Sequence, residues 1–199
     1  MEHEKKYRMI GITGGIGSGK STIGEMLESR DFYVIDTDKI SRDLTSPGKP
    51  LLDEISRIFG PDVIRGDGSL DRAKVASLVF SSDDNLSRLE AILHPAIIAE
   101  TIRLAEESNR EMVFTLIPLL FEAGLEDMVD EIWLCYVDRE TRIKRVMQRD
   151  GVSREDVIAR MDSQIPDELK LPCSDFVFDM SGTLSDVEEQ LERVLERLK

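Results

Sequence analysis

The stretch RMIGITGGIGSGKST, residues 8–22, decides the fold. Its first six residues form a short apolar run that stops at a glycine cluster, which is typical of a buried parallel strand. Residues 14–21 fit the phosphate-loop pattern G-x-x-x-x-G-K-[ST], and a helical pattern follows over Lys20–Arg30. A strand, a glycine-rich loop and a helix in this order predict a nucleotide-binding site.

Each residue type in the loop has a physical role. Glycines let main-chain N–H groups turn inward around phosphate oxygens, where Cβ atoms would clash. The positive end of the helix that follows attracts the same anion. We expect Lys20 to reach the β- and γ-phosphates, the Ser21 hydroxyl to bind Mg²⁺, and Thr22 to contact the α-phosphate. The predicted nucleotide-binding residues of the loop are Gly15, Gly17, Ser18, Gly19, Lys20, Ser21 and Thr22.

Further short apolar runs alternate with helical patterns along the chain. We predict strands at residues 33–35, 112–117, 132–137 and 176–178. Strands that alternate with helices indicate an α/β protein with a parallel sheet and helices on both faces. Within the run 132–137, Trp133 and Cys135 are expected in the core.

The stretch 39–109 breaks this alternation, because it is helical throughout and longer than one crossover requires. Its last two predicted helices meet at His94-Pro95, which favours a helix boundary. We predict a single kinase domain, 1–199, with a three-layer P-loop nucleotide-kinase fold. Its parts are a core of 1–38, 110–138 and 165–199, a helical substrate-binding insertion at about 39–109, and a lid at about 139–164.

The composition limits the partners. The chain has 199 residues, 41% of them hydrophobic, and a formal charge of -14. A nucleic-acid partner needs a cationic surface, so we expect none, and anionic substrates need a local cationic pocket. The N-terminal residues lack a signal-peptide pattern, and no apolar run approaches the roughly 20 residues that span a bilayer. We expect a cytoplasmic protein without a membrane partner; the oligomeric state stays open.

A phosphate loop alone fits switch GTPases, motor ATPases and small-molecule kinases. The guanine-reading pattern Asn-Lys-x-Asp does not occur in the sequence, and the chain is short for a remodelling ATPase. A compact kinase is favoured, and a nucleotide-dependent switch is the alternative from another class. In a kinase, a carboxylate after the second strand can take the proton of the acceptor hydroxyl. Asp38 is the candidate base and Asp36 a candidate for Mg²⁺ or structure, although each also suits a helix cap.

A series of short fragments continues this pattern along nearly the whole chain. In order, they are Asp36-Thr37-Asp38 with Arg42, Leu70-Asp71-Arg72, Val79-Phe80, Leu89-Glu90, Leu93-His94-Pro95, Pro118-Leu119-Leu120-Phe121-Glu122, Gln148-Arg149-Asp150-Gly151, and Arg160-Met161 with Gln164. Each fragment is weak alone, but together and after a phosphate loop they resemble the dephospho-coenzyme A kinase family. The resemblance implies ATP and Mg²⁺ as cofactors and phosphate transfer to the ribose 3′-hydroxyl of dephospho-coenzyme A. Kinases of a nucleotide, shikimate or a sugar acid are the nearest alternatives.

The resemblance also assigns roles. It implies that Asp38 activates the acceptor hydroxyl and that Arg145 is the lid arginine that closes on the ATP phosphates, so the catalytic set is Lys20, Asp38 and Arg145. Guanidinium groups suit this role because they bind phosphate through two N–H groups. Arg142 and Arg149 are weaker phosphate-binding candidates, since an arginine-rich helix also suits a solvated face. The residues implied to bind the acceptor are Asp38, Arg42, Arg72, His94, Pro118, Leu119 and Glu122; for His94 we expect pocket structure rather than acid–base chemistry.

Two positions depart from the family's pattern. Many relatives have Asp two residues before the Pro-Leu-Leu segment, where this chain has Leu116. A metal or water contact from that carboxylate is then absent or supplied elsewhere. Many relatives also have Asn in the loop beside the adenine, where this chain has Asp179-Met180-Ser181-Gly182. Adenine recognition there is expected to use main-chain groups.

Overall fold

The strands form where short apolar runs stop at glycine, aspartate or a turn. The computed structural model describes residues 6–80 and 82–198, and that part of the chain contains five strands. Each begins and ends within one residue of the predicted run. They are β1 Arg8–Thr13, β2 Tyr33–Asp36, β3 Met112–Leu116, β4 Glu131–Tyr136 and β5 Phe176–Asp179.

The sheet is parallel throughout, with the strand order β2-β3-β1-β4-β5. The first strand therefore lies in the centre, where Ile12 is paired with Leu116 on one side and Trp133 on the other. The connection that follows β1 runs to β2 at one edge of the sheet, whereas the connection that follows the neighbouring strand β3 runs to β4 on the other side of β1. In open parallel sheets, such a switch point at the carboxyl ends of the strands is where ligands bind. The predicted α/β fold is confirmed.

Local sequence explains where several of the helices begin. Ser153 and Thr183 form capping boxes with Asp156 and Asp186 at two helix starts. No helix of the described residues is long and apolar enough to cross a bilayer. The helices are α1 Lys20–Glu28, α2 Thr37–Leu44, α3 Pro50–Phe59, α4 Arg72–Phe80, α5 Asp83–Glu107, α6 Arg139–Asp150, α7 Arg154–Asp162, α8 Asp167–Lys170 and α9 Leu184–Arg197, with 3-10 turns at Pro61–Val63, Glu126–Met128 and Leu171–Cys173.

The chain divides into two compact units. The sheet unit contains the chain up to Asp36 and from Ser108 onward, and the helical unit is Thr37–Glu107. Each unit has a hydrophobic core of its own.

The core of the sheet unit is built around Trp133. Its ring lies 5.2 Å from that of Phe114 and 5.5 Å from that of Phe178, and its indole N–H donates to Glu131. Trp133 and Cys135 are both fully buried, so their predicted core positions are confirmed. Such a tightly packed aromatic cluster fixes the strands that carry the loops of the site.

The two cysteines should differ sharply in reactivity. Burial raises the pKa of the Cys135 thiol to about 12, whereas Cys173 is exposed. Because the thiolate is the reactive form, iodoacetamide at pH 8 should alkylate Cys173 alone in the folded protein and both thiols in urea. Peptide mass spectrometry reads the sites directly. Equal labelling of the two in the folded protein would contradict this burial.

The helical unit contains one clear departure from prediction. The helix α5 runs unbroken from Asp83 to Glu107 with Pro95 inside it, so the predicted boundary at His94-Pro95 is wrong. An interior proline removes one helical hydrogen bond and costs about 3 kcal/mol. Packing on both sides of the proline offsets this cost, since Leu93 joins the core of the unit before it and Thr101 is buried after it.

The segment predicted to form a lid contains two helices, α6 and α7. Helix α6 ends at Gly151, which has a left-handed conformation with φ of 66°. Helices α6 and α7 share a small core, against which Ile16 of the phosphate loop packs. The core residues are Ile143, Val146, Val157 and Met161.

Candidate active site

The phosphate loop, residues 14–19, leaves the carboxyl end of the central strand. Gly14, Gly17 and Gly19 have φ angles of 143°, 79° and 101°. Side chains rarely tolerate this left-handed region, and a Cβ on Gly14 would also collide with the carbonyl oxygen of Cys135. The loop is closed by a hydrogen bond of 3.1 Å from Ser18 N to Gly15 O. The glycine pattern is thus required by the shape of the loop.

The start of α1 supplies the second part of an anion site. Gly19 is its N-cap residue, and no described side chain caps it. The N–H groups and dipole at such a helix start favour a bound anion. The Lys20 ammonium lies over the loop, where its Nζ donates to Gly14 O at 2.5 Å and to Gly15 O at 3.3 Å. Loop, helix start and ammonium together fit the terminal phosphates of a nucleotide.

Oxygen donors for Mg²⁺ lie at the same end of the sheet unit. Ser21 is exposed in the first turn of α1, and Asp36 is the last residue of β2. Mg²⁺ prefers hard oxygen ligands and usually keeps several waters beside one or two protein groups and phosphate oxygens. The donors present fit an ion that arrives with its nucleotide. Thr22, whose N–H donates to Gly19 O at 3.0 Å, occupies the same helical turn.

Of the three arginines predicted to bind phosphate, Arg145 and Arg142 lie beside the loop. Arg145 Nη2 donates to Met180 O at 2.8 Å, and its Nη1 would lie 3.9 Å from a Cβ on Gly19. Arg149, in contrast, is exposed and pairs with Asp150 at 2.6 Å, which raises the pKa of its guanidinium. Between Arg145 and Arg149, the geometry therefore favours Arg145 as a phosphate-binding residue.

Arg142 is not part of a solvated face. Only 7% of the residue is exposed, its Nε donates to Ile16 O at 2.9 Å, and its Nη1 pairs with Asp167. The alternative of a solvated face is therefore wrong for Arg142, because the loop and Asp167 enclose its side chain.

Two residues of the segment after β3 that were predicted to bind the acceptor differ in their surroundings. Leu119 is 44% exposed, as a ligand-contacting residue can be. Glu122 is engaged within the protein, since its Oε1 accepts from Lys170 Nζ at 2.9 Å and from Ile165 N at 3.0 Å. These two bonds offset part of the cost of burying the charge, although Glu122 Oε2 is buried without a hydrogen-bond partner among the described residues. Glu122 therefore has a structural role whether or not it also contacts an acceptor.

Leu116, which departs from the family's pattern, packs on α1. Its Cδ1 lies 2.9 Å from the position that a Cβ on Gly24 would occupy. Only a glycine permits so close an approach between this helix and β3.

The residues predicted to bind the acceptor converge partly within the helical unit. Asp38 lies in the first turn of α2, where Arg42 Nε donates to its carbonyl oxygen at 3.2 Å. Partial burial lowers the pKa of Arg72; the charge of Arg42 acts in the same direction, and that of Asp38 opposes it. Arg72 also donates to Thr45 Oγ1 at 2.7 Å.

Arg72 also lines a groove of about 250 Å³, and the rest of the lining is mostly aliphatic. Two cations, a carboxylate and an apolar groove suit a phosphorylated acceptor that has an apolar arm. His94 is half-buried on α5 and is not among the groove's lining residues. The lining is formed by Ser41, Thr45, Ile55, Leu70, Arg72, Val75, Ala76, Val79, Leu89 and Leu93.

The arrangement of fold and site defines a class. A parallel sheet with a phosphate loop after its central strand, and with an arginine of α6 beside that loop, is the arrangement found in P-loop small-molecule kinases. The sequence pattern described as dephospho-CoA kinase matches residues 8–186. The chain belongs to the dephospho-CoA kinase family, and this membership implies ATP binding.

Individual relatives agree over nearly the full length. A dephospho-CoA kinase from Carboxydothermus hydrogenoformans is 40% identical over 194 residues, which are 96% of this chain and 94% of the relative. A solved structure from Thermus thermophilus is 38% identical with a TM-score of 0.88, covering 98% of this chain and all of the other. Dephospho-CoA kinase from Campylobacter jejuni is 30% identical with a TM-score of 0.68, covering 96% of each chain.

Proposed function

We propose that this chain transfers the γ-phosphate of ATP to the ribose 3′-hydroxyl of dephospho-coenzyme A, giving coenzyme A and ADP. This reaction is the last step of coenzyme A synthesis. The observation that carries the proposal is the family pattern over residues 8–186, which includes a phosphate loop with its ammonium in position. The alternative of a nucleotide-dependent switch has no comparable support.

The donor side of the reaction would be bound by the loop. Main-chain N–H groups of the loop and of the first turn of α1, other than that of Ile16, would hold the β- and γ-phosphates together with the Lys20 ammonium. Ser21 would hold Mg²⁺, with Asp36 nearby at the end of β2. Bound Mg²⁺ supplies charge neutralisation on the phosphate oxygens. Arg145 would add a second cation as charge moves toward the leaving oxygen. Arg149 would stay on the surface with Asp150.

The acceptor side would depend on Asp38. A ribose hydroxyl is a weak nucleophile at neutral pH, so a carboxylate that orients it and accepts its proton lowers the barrier. The position of Asp38 in the first turn of α2, two residues after the end of β2, supports this role. Arg42 and Arg72 would bind anionic groups of the acceptor, and the apolar groove beside Arg72 would take its aliphatic part. His94, Pro118, Leu119 and Glu122 would complete the pocket.

The three parts of the proposed domain would have separate roles. In the proposed domain, core segments 1–38, 110–138 and 165–199 bind the nucleotide, the insertion at about 39–109 binds the acceptor, and the lid at about 139–164 closes to exclude water. We further propose that the enzyme acts in the cytoplasm on small molecules alone. Its free thiols suit a reducing compartment, and its charge of -14 disfavours nucleic acid.

The proposal is tested by incubating the purified protein with ATP, Mg²⁺ and dephospho-coenzyme A, and by detecting coenzyme A chromatographically. We expect coenzyme A and ADP in equal amounts, and ADP release that depends on the acceptor. Shikimate, gluconate and a nucleoside monophosphate serve as matched acceptors and should give no product. Acceptor-independent ADP release would favour the switch, and turnover of another acceptor alone would overturn the substrate.

A further inference from the structure

The apex of the phosphate loop is held by side chains from outside the loop. Ile16 N donates to Gln164 Oε1 at 2.9 Å, and Ile16 O accepts from Arg142 Nε at 2.9 Å. Both main-chain polar groups of one residue are thus bound by side chains that follow it in sequence by more than a hundred positions. The Ile16 side chain packs against the shared core of α6 and α7. The apex is therefore held by three contacts: two hydrogen bonds to the main chain of Ile16 and the packing of its side chain.

Two loop glycines make room for α6 rather than for phosphate alone. A Cβ on Gly15 would overlap the guanidinium of Arg142, so this group lies directly against the main chain of the loop. A Cβ on Gly17 would lie 2.8 Å from Val146 Cγ2 and 3.0 Å from Arg142 O. Close packing of this kind transmits a displacement of the helix to the loop.

Arg142 is in turn held by a buried cluster of alternating charge. Its Nη1 pairs with Asp167 Oδ2 at 2.5 Å, and Asp167 Oδ1 lies 3.4 Å from Lys170 Nζ, which pairs with Glu122 at 2.9 Å. The cluster contains two cations and two anions, so its charges cancel. Replacing a buried ion pair by apolar side chains of similar size is often neutral or stabilising, so stability is a weak explanation for such a cluster.

We propose that Arg142 is a positioning residue, which together with Gln164 fixes the apex of the phosphate loop in the shape that receives nucleotide. A glycine-rich loop that is free to move must be ordered on binding, and this ordering weakens affinity. Because Arg142 already holds the loop before nucleotide binds, less conformational entropy is lost on binding. Its Nε and Nη1 are committed to Ile16 and Asp167, which separates its role from that of Arg145. The inference rests on the nucleotide-binding part of the proposed function and not on the identity of the acceptor.

The test is the affinity for ADP with Mg²⁺, measured calorimetrically on the full chain without acceptor and well below the melting temperature of each variant. Arg142→Lys keeps a charge for Asp167 but loses the Nε donor and the flat group against Gly15. We expect it to bind ADP about tenfold more weakly, which equals about 1.4 kcal/mol, with little change in melting temperature. Gln164→Leu should weaken binding in the same direction.

Two further variants separate positioning from folding. The double variant Arg142→Gln with Asp167→Asn removes both charges, so it should fold, yet its ADP affinity should still fall about tenfold. The matched control is Arg139→Gln on the same helix, which breaks only the exposed ion pair with Asp162. This control should bind ADP like the wild type.

The outcomes are distinct. ADP affinities of Arg142→Lys and Gln164→Leu within about twofold of the wild type would overturn the inference. So would an affinity loss in the Arg139 control as large as that of Arg142→Lys. If wild-type protein binds ADP but makes no coenzyme A, the proposed substrate fails, while the ADP titrations still decide the role of Arg142.

Discussion

Replacement of Lys20 by methionine is expected to lower turnover by at least about 10²-fold, which corresponds to about 3 kcal/mol of transition-state stabilisation. Methionine keeps most of the length of the side chain but removes the ammonium that lies over Gly14 and Gly15. The charge on the γ-phosphate oxygens shifts during transfer, and a fixed cation in a site without water stabilises that shift. Nucleotide affinity should fall as well. Steady-state kinetics and ADP titration measure the two effects.

The control for this change is Lys74→Met in the helical unit. Lys74 is half-exposed and forms only a long surface contact with Asp62, at 3.5 Å. Its removal should leave ADP affinity and thermal stability nearly unchanged, because exposed pairs contribute little. If Lys20→Met turned over at the wild-type rate, the loop would not be the donor site.

Asp38→Asn is expected to lower turnover by about 10²-fold or more while leaving ATP binding nearly intact. The amide has almost the same shape as the carboxylate but accepts a proton far less well. Asp38 also lies in the first turn of α2, where loss of a negative charge weakens the helix by about 0.3–1 kcal/mol. Melting temperature should be recorded together with turnover and ADP affinity, so that a small loss of stability is recognised as such.

Asp43→Asn provides the comparison on the same helix. Asp43 is exposed near the end of α2, and its change should not affect turnover. Equal turnover of Asp38→Asn and the wild type would remove Asp38 from the mechanism. An equal loss in the two variants would point instead to the stability of α2.

The fold was predictable because its signals are local. Each strand is a short apolar run with clear ends, and the glycines of 14–19 specify a loop that few other sequences can form. The burial of Trp133 and Cys135 follows from their position in such a run. Motif and context lie within fifteen residues of one another, so the sequence reveals them directly.

The contributions of Pro95 and Arg142 were not predictable, because both depend on distant residues. The local rule that proline ends a helix is overcome at Pro95 by packing along the whole of α5. Arg142 has the sequence surroundings of a surface arginine, and its partners Ile16 and Asp167 lie 126 and 25 residues away. Ile16 and Gln164 each carried a sequence signal, the first as part of the phosphate loop and the second as part of the family resemblance, whereas Asp167 carried none. Periodicity does not report such pairings.

The close packing of Gly24 against Leu116 matters for attempts to change which phosphate donor the protein uses. The positive end of α1 points toward the phosphate site, and the direction of the helix axis depends on how α1 packs against β3. Gly24 and Leu116 set this packing about one and a half turns after the loop. A mutant library confined to residues 14–22 would leave the direction of the α1 axis unchanged. Engineers who want to shift the phosphate-binding point by a fraction of an ångström should therefore vary position 24 and its strand neighbour together.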